Sequence, residues 1–188
     1  MTRIFEGRFV IVDLFQDIKR SRASEVVRTK NGRYSVGFLI YHRGQDSIIL
    51  VEQNRPAMIC ETCPEGLIEE VPAGRCDRPE SPREVIAREA SEEVGAEIYP
   101  DQIVLLNGGE PLAMSPGILE EMMYLGYVKI EPEQLAEDRL FGLPEEGEFI
   151  TRKLIPVSVL YELQFQDMKT FALVQWFLRE IKHHQEAK

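Results

Sequence analysis

The chain has 188 residues, enough for one domain with a sizeable core. Its 44% hydrophobic and 29% charged residues describe a globular protein, and no apolar run reaches the length of a bilayer span. The net charge of −10 argues against nucleic acid as the main partner, because binding a phosphate backbone needs a basic footprint. The first residues, MTRIFEGR, lack the apolar core and cleavage site of an export signal, so a cytoplasmic location is expected. Cys60, Cys63 and Cys76 are then expected as reduced thiols, with the C-x-x-C pair incidental to its loop.

In chain order, residues 8–15 (RFVIVDLF) predict a strand apolar on both faces. A second strand is expected at 25–30. Asn31-Gly32 is a hairpin signal leading into a third strand at 34–42. A turn at 43–46 precedes a strand at 47–52. Residues 57–67, with proline and two cysteines, read as an irregular loop. A short strand at 67–71 enters the Pro72-Ala73-Gly74 turn. Further strands are expected at 103–107, 123–130 and 149–157, then a short helix at 157–163. Asp167 caps a longer helix over 168–182, whose Phe171, Val174, Phe177, Leu178 and Ile181 form an apolar stripe broadened by Leu173 and Trp176.

The helix between Gly74 and Gly95 carries the chemistry. Ser81-Pro82-Arg83-Glu84 is a capping box with proline at the first helical position, and Gly95 stands where a C-terminal cap belongs. Ile86, Ala90 and Val94 share one face. Glu89, Glu92 and Glu93 fall on the neighbouring stripe at i, i+3 and i+4. Like charges so placed repel, and a hard divalent cation resolves that repulsion while also binding phosphate oxygens. The plain alternative is a solvated face on which Arg88 pairs with Glu84 or Glu92.

The full pattern, Gly74, Glu80, Arg88-Glu89, Ala90, Glu92-Glu93, Gly95 and Ala96, is G-x5-E-x7-R-E-U-x-E-E-x-G-U, with U an aliphatic residue. It resembles the Nudix box, and the chain is similar to Nudix hydrolases of the ADP-ribose pyrophosphatase and nucleoside diphosphate sugar group. Ala90 and Ala96 are smaller than the usual aliphatic residues there. The resemblance implies an α/β fold, the Nudix α-β-α sandwich with a mixed sheet. It also implies additional N-terminal antiparallel strands in residues 1–33, a dimerisation element, ahead of a hydrolase domain over 34–188.

It further implies Mg²⁺, or Mn²⁺, held by Glu89, Glu93, the Ala73 carbonyl and Glu148, with Glu92 in the catalytic set. Glu52-Gln53-Asn54-Arg55-Pro56 resembles an E-Q-x-R-P segment at the end of a core strand, whose arginine can pair with phosphate oxygens; the plain alternative is that Arg55 pairs only with an acidic neighbour. Ser115-Pro116-Gly117 followed by Glu121 resembles an S-P-G-x-x-x-E segment and makes Ser115 and Glu121 substrate-binding candidates, with an ordinary Pro-Gly turn as the equal alternative. Residues 142–150 (GLPEEGEFI) resemble a G-L-x-x-E-x-E-x-I loop, the plain alternative being a solvated acidic loop. Carried over by position, Glu146 is the general base and Glu148 its neighbour on the metal side, and spacing alone leaves open a swap of the two. The segment from Asp167 to Phe177 (DMKTFALVQWF) resembles sugar-nucleotide members. The expected reaction is hydrolysis of a nucleoside diphosphate sugar, ADP-ribose first, with GDP-mannose or UDP-glucose as alternatives, in a homodimer. A rival reading is a non-catalytic nucleotide-sugar-binding module, whose mark would be a lost box carboxylate. None is lost.

Overall fold

The computed structural model of the chain describes residues 1–17, 22–138, 140–142 and 149–186. Three strands, β1 (Thr2–Glu6), β2 (Val10–Asp17) and β3 (Arg22–Thr29), form an antiparallel sheet in that order. β1 had no signal in the sequence pattern. The apolar strand over residues 8–15 is β2, and it is not a buried element. Its Phe9 and Phe15 flanks are exposed, and the buried residue is Asp13, 3.3 Å from the Arg28 guanidinium of β3.

The second sheet has nine strands among the described residues. They are β4 (Tyr34–His42), β5 (Ser47–Asn54), β6 (Leu67–Glu70), β7 (Ala73–Arg75), β8 (Val104–Leu105), β9 (Leu112–Ala113), β10 (Met122–Ile130), β11 (Leu140–Phe141) and β12 (Ile150–Pro156). The main order is β11-β12-β5-β4-β10-β8, with β4 and β10 parallel along their whole length and the other neighbours antiparallel. The sheet is therefore mixed, as expected. The Asn31-Gly32 hairpin is not: β3 pairs with β2, and Tyr34 starts the other sheet. Gly32 does adopt a positive φ of 107°, so the turn chemistry is present but links two sheets. What docks the small sheet is a bridge from Val27 to Leu119, with the Val27 N–H donating to the Ile118 carbonyl and the Glu120 N–H to the Val27 carbonyl.

Two helices cover the large sheet. α1 (Pro82–Val94) packs Val85, Ile86, Ala90 and Val94 against Val36, Phe38, Ile40, Ile49 and Val51. α2 (Met168–Glu186) packs Leu173, Val174, Phe177 and Leu178 against Leu39, Ile48, Leu50 and Val71. β4 thus buries alternate residues against opposite helices, which is why it reads as a continuous apolar run. Each fully buried Leu, Ile or Phe contributes roughly 1.5–3 kcal/mol. Phe171, expected on the buried stripe of α2, is 53% exposed: it lies on the first turn, off the face that meets the sheet. The strand expected at 103–107 shrinks to two residues before a 3-10 turn, and the short helix expected at 157–163 is a single 3-10 turn at Val157–Val159.

β4 and β5 pair only through Ile40–His42 and Ser47–Ile49. Beyond that they diverge, and each acquires its own partner: β7 joins β4, and β6 joins β5. The sheet forks there, and Val71 and Pro72 cross the fork between β6 and β7.

Candidate active site

The local folding of α1 follows its sequence. The Ser81 hydroxyl accepts from the Glu84 N–H, and the Glu84 carboxylate accepts from the Ser81 N–H at 2.7 Å, with Pro82 opening the helix. At the other end Gly95 takes a left-handed conformation (φ 64°), and the Ala96 N–H returns to the Ala90 carbonyl. Ala90 and Ala96 are both essentially buried, so small residues at these two box positions serve the core.

The carboxylate stripe faces the crossing from β6 to β7. The Ala73 N–H donates to Glu93 Oε2 at 3.0 Å, and Glu93 is 6% exposed. A Cβ on Gly74 would overlap the Glu89 carboxyl group, so glycine at the head of the motif is a steric requirement for bringing that carboxylate to the backbone. Glu89 and Glu93 therefore meet at one turn, whose backbone includes the Ala73 carbonyl. Residues 73–75 are a short strand paired with Ser35–Gly37, not a free turn as expected, which fixes the turn against the sheet.

Arg88 binds the rest of the stripe. It bonds Glu80 at 3.2 Å, Glu89 at 2.9 Å and Glu92 at 3.0 Å. Of the two expected pairings, Glu92 is realised and Glu84 is not, because Glu84 is occupied by the cap. Burial alone would lower the Arg88 pKa; the charges of Glu89, Glu80 and Glu92 outweigh it and raise it above the ordinary guanidinium value. The nearby Cys76 thiol is pushed up to about 11 by burial, with Asp77, Glu89 and Glu80 adding to it, and stays protonated at neutral pH.

The remaining candidates divide. Arg55, at the end of β5, bonds Glu70 through Nε at 2.6 Å, three residues ahead of Ala73. Ser115 spends its carbonyl on the Ile118 and Leu119 N–H groups, and the Glu121 carbonyl accepts from Met114; both belong to the turn leading into β10. Met122 and Gly74 are partners of Tyr34 and Val36, two residues apart on β4, on opposite edges of that strand. Glu121 thus lies toward the same end of the sheet as Gly74, about 10 Å across two strand spacings and about 10 Å further along the strand direction.

Glu146 and Glu148 fall at 143–148, outside the described residues. The segment's two anchors are described. The Gly142 N–H donates to the Glu92 carbonyl, and Phe141 and Ile150 are register partners. Gly142 is thus tied to the last turns of α1, and Ile150 joins the core cluster that Val94 belongs to.

A hard divalent cation suits this donor set. Glu89, Glu93 and the Ala73 carbonyl offer only oxygen, the preferred ligand of Mg²⁺. Glu80, Glu89, Glu92 and Glu93 against Arg88 sum to a formal −3 for these five side chains. Among the described residues, no three His, Cys, Asp or Glu side chains are gathered closely enough to hold a metal ion by themselves. Two carboxylates and a backbone carbonyl leave the other positions of an octahedral ion to water and phosphate, the usual arrangement for Mg²⁺.

Sequence reasoning missed three residues next to this site. Glu70 is 1% exposed, Lys169 8% and Thr170 0%. Lys169 Nζ pairs with Glu70 and, at 3.0 Å, with Asp167; the Val71 N–H donates to Thr170 Oγ1 at 2.8 Å. The Asp167 cap was legible, and its carboxylate accepts from the Thr170 N–H at 2.8 Å. The available signal for Lys169 and Thr170 was the Asp-Met-Lys-Thr segment; Glu70 had only its place just ahead of Val71-Pro72-Ala73-Gly74.

The NUDIX domain profile matches residues 32–177. The chain is 30% identical over 179 residues to a GDP-mannose pyrophosphatase of Enterobacter sp. (strain 638), covering 91% of this chain and 88% of that protein. It is 31% identical over 178 residues to a protein of the same name from Cronobacter sakazakii, covering 90% and 88%. A third of that name, from Yersinia pestis (strain Pestoides F), is 30% identical over 142 residues, covering 73% and 67%.

Proposed function

This chain belongs to the Nudix family and is a hydrolase of pyrophosphate bonds, and we propose that its substrate is a nucleoside diphosphate sugar. The observation that carries this reading is the convergence of Glu89 and Glu93 on the Ala73-Gly74 turn. Two sugars are favoured by different observations: ADP-ribose by the motifs at 115–121 and 142–150, and GDP-mannose by the names of relatives that span nine-tenths of the chain.

Glu89, Glu93 and the Ala73 carbonyl would hold Mg²⁺ or Mn²⁺, with Glu148 as a further ligand. When bound, the metal polarises the phosphoryl oxygens and lowers the pKa of water. Arg55 binds a phosphate, and Ser115 and Glu121 contact the substrate from the start of β10. Glu146 takes the proton of the water that attacks phosphorus, and the phosphorus–oxygen bond of the diphosphate bridge breaks. Glu92 keeps Arg88 in place at the rim. The products are a nucleoside monophosphate and a sugar phosphate, AMP and ribose 5-phosphate if the substrate is ADP-ribose.

The test is phosphate release coupled to alkaline phosphatase across ADP-ribose, GDP-mannose and UDP-glucose, with and without EDTA. Turnover of at least one, lost in chelator and restored by Mg²⁺ or Mn²⁺, is expected. No turnover of any, or undiminished turnover in chelator, overturns the reading. The N-terminal sheet, with Ile4, Phe5, Phe9 and Phe15 about half exposed or more, would be the interface of a homodimer. Light scattering at micromolar concentration should give twice the chain mass, and a monomer rejects this part.

A further inference from the structure

We propose that Glu70 and Lys169 are positioning residues that present Arg55 to the diphosphate; this rests on the reading of Arg55 as a phosphate ligand. Glu70 ends β6, opposite Val51, in the interior of the sheet. Its two oxygens are divided between two cations. Oε1 accepts from Arg55 Nε at 2.6 Å, and Oε2 accepts from Lys169 Nζ.

Which guanidinium atom is used matters. A carboxylate that is not otherwise engaged takes arginine through two parallel hydrogen bonds, occupying one edge of the fork. Here Lys169 claims Oε2, so Glu70 has one oxygen left and takes Nε alone. The two terminal nitrogens of Arg55, on a side chain 41% exposed, then keep the paired geometry that suits a phosphate.

Lys169 arrives from the other side of the sheet. Its stem lies against Gly37, where a Cβ would come within 3.3 Å of Lys169 Cδ, and Gly37 is the register partner of Ala73. It therefore passes through the fork between β4 and β5 to reach Glu70. The start of α2 also fixes the backbone there. Thr170 Oγ1 donates to Asp167 and accepts from the Val71 N–H. Glu70 is thus held at its side chain by Lys169 and at the next peptide by Thr170, which fixes the acceptor that Arg55 Nε meets.

Removing one partner of a buried pair is strongly destabilising, so Lys169→Met can fail for reasons of folding alone. Glu70→Gln keeps the shape, and a thermal melt checks that it folds. The decisive measurement is a double-mutant cycle with Arg55→Ala, read as calorimetric affinity for ADP and GDP in Mg²⁺. Glu70→Gln is expected to weaken binding about tenfold when Arg55 is present and less than twofold in Arg55→Ala. Lys169→Arg should retain affinity within about threefold. Equal losses in both backgrounds, or no loss from Glu70→Gln, overturn the proposal, as does wild-type protein that binds neither diphosphate. Protein that binds a diphosphate but hydrolyses no nucleotide sugar defeats the hydrolase reading instead, while the cycle still decides the role of the pair.

Discussion

Two charged clusters flank the crossing from β6 to β7, and they are built on opposite plans. On the α1 side, Glu80, Glu89, Glu92 and Glu93 gather around Arg88 with a formal excess of three negative charges. On the α2 side, Glu70 and Asp167 are matched by Arg55 and Lys169, and the four sum to zero. In a balanced, largely buried cluster each charge offsets part of its neighbour's desolvation, so removing one partner is costly. The carboxylates around Arg88 outnumber it, an arrangement that suits a divalent cation on the proposed reading. On the proposed reading, the balanced cluster positions and the carboxylate-rich one receives the metal.

The comparison predicts different kinetic signatures for the two sides. The largest effect is expected on the receiving side. Glu93→Gln or Glu89→Gln should lower kcat by roughly 10²-fold or more, since a lost metal carboxylate no longer stabilises the charge that develops at phosphorus. Either variant folding normally with wild-type turnover in Mg²⁺ would remove the distinction between the clusters.

Next comes the loop anchored beside Glu92. Glu146→Gln should reduce kcat by roughly 10²–10⁴-fold, the range for loss of a general base, with little change in KM. If Glu148→Gln abolishes turnover and Glu146→Gln does not, the two roles are exchanged. If both are silent, the base must be sought among Glu92, Glu120 and Glu121.

Gly74→Ala sharpens the geometry without touching a charge. The added methyl overlaps the Glu89 carboxyl group and must push it off the turn. Turnover should fall about tenfold or more, with a rise in the Mg²⁺ concentration needed for half activity. A variant with unchanged Mg²⁺ dependence would show that Glu89 does not need this close approach.

The smallest effect tests the environment of the α1 side rather than its catalysis. Cys76 beside Glu80 and Glu89 has its thiol pushed up to about 11, so at pH 8 roughly one molecule in a thousand carries the reactive thiolate. The exposed Cys60 thiol is shifted below the usual cysteine range by hydrogen bonds from Thr62 and Cys63. Mass spectrometry of partial alkylation should find Cys60 modified early and Cys76 last. Early labelling of Cys76 would mean that the packing around Arg88 is looser than described.

The sequence alone determined α1 and the pattern of its carboxylates. Capping box, apolar face, carboxylate stripe and closing glycine are all local, spaced within a few helical turns, so their pattern survives in one dimension. β4 and β10 were equally legible, because strands buried on both faces must be continuously apolar. Tertiary structure decided what depends on contacts between distant segments. It joined Asn31-Gly32 to two sheets instead of one hairpin, because strand partners are chosen by packing as well as by the turn. It left Phe171 outside, because an apolar stripe does not say where the sheet ends. It brought Lys169 to Glu70 across ninety-nine positions of chain and through a fork in the sheet. No periodicity encodes that meeting: a buried carboxylate and a buried lysine each look like surface residues until the fold supplies the partner that makes their burial tolerable.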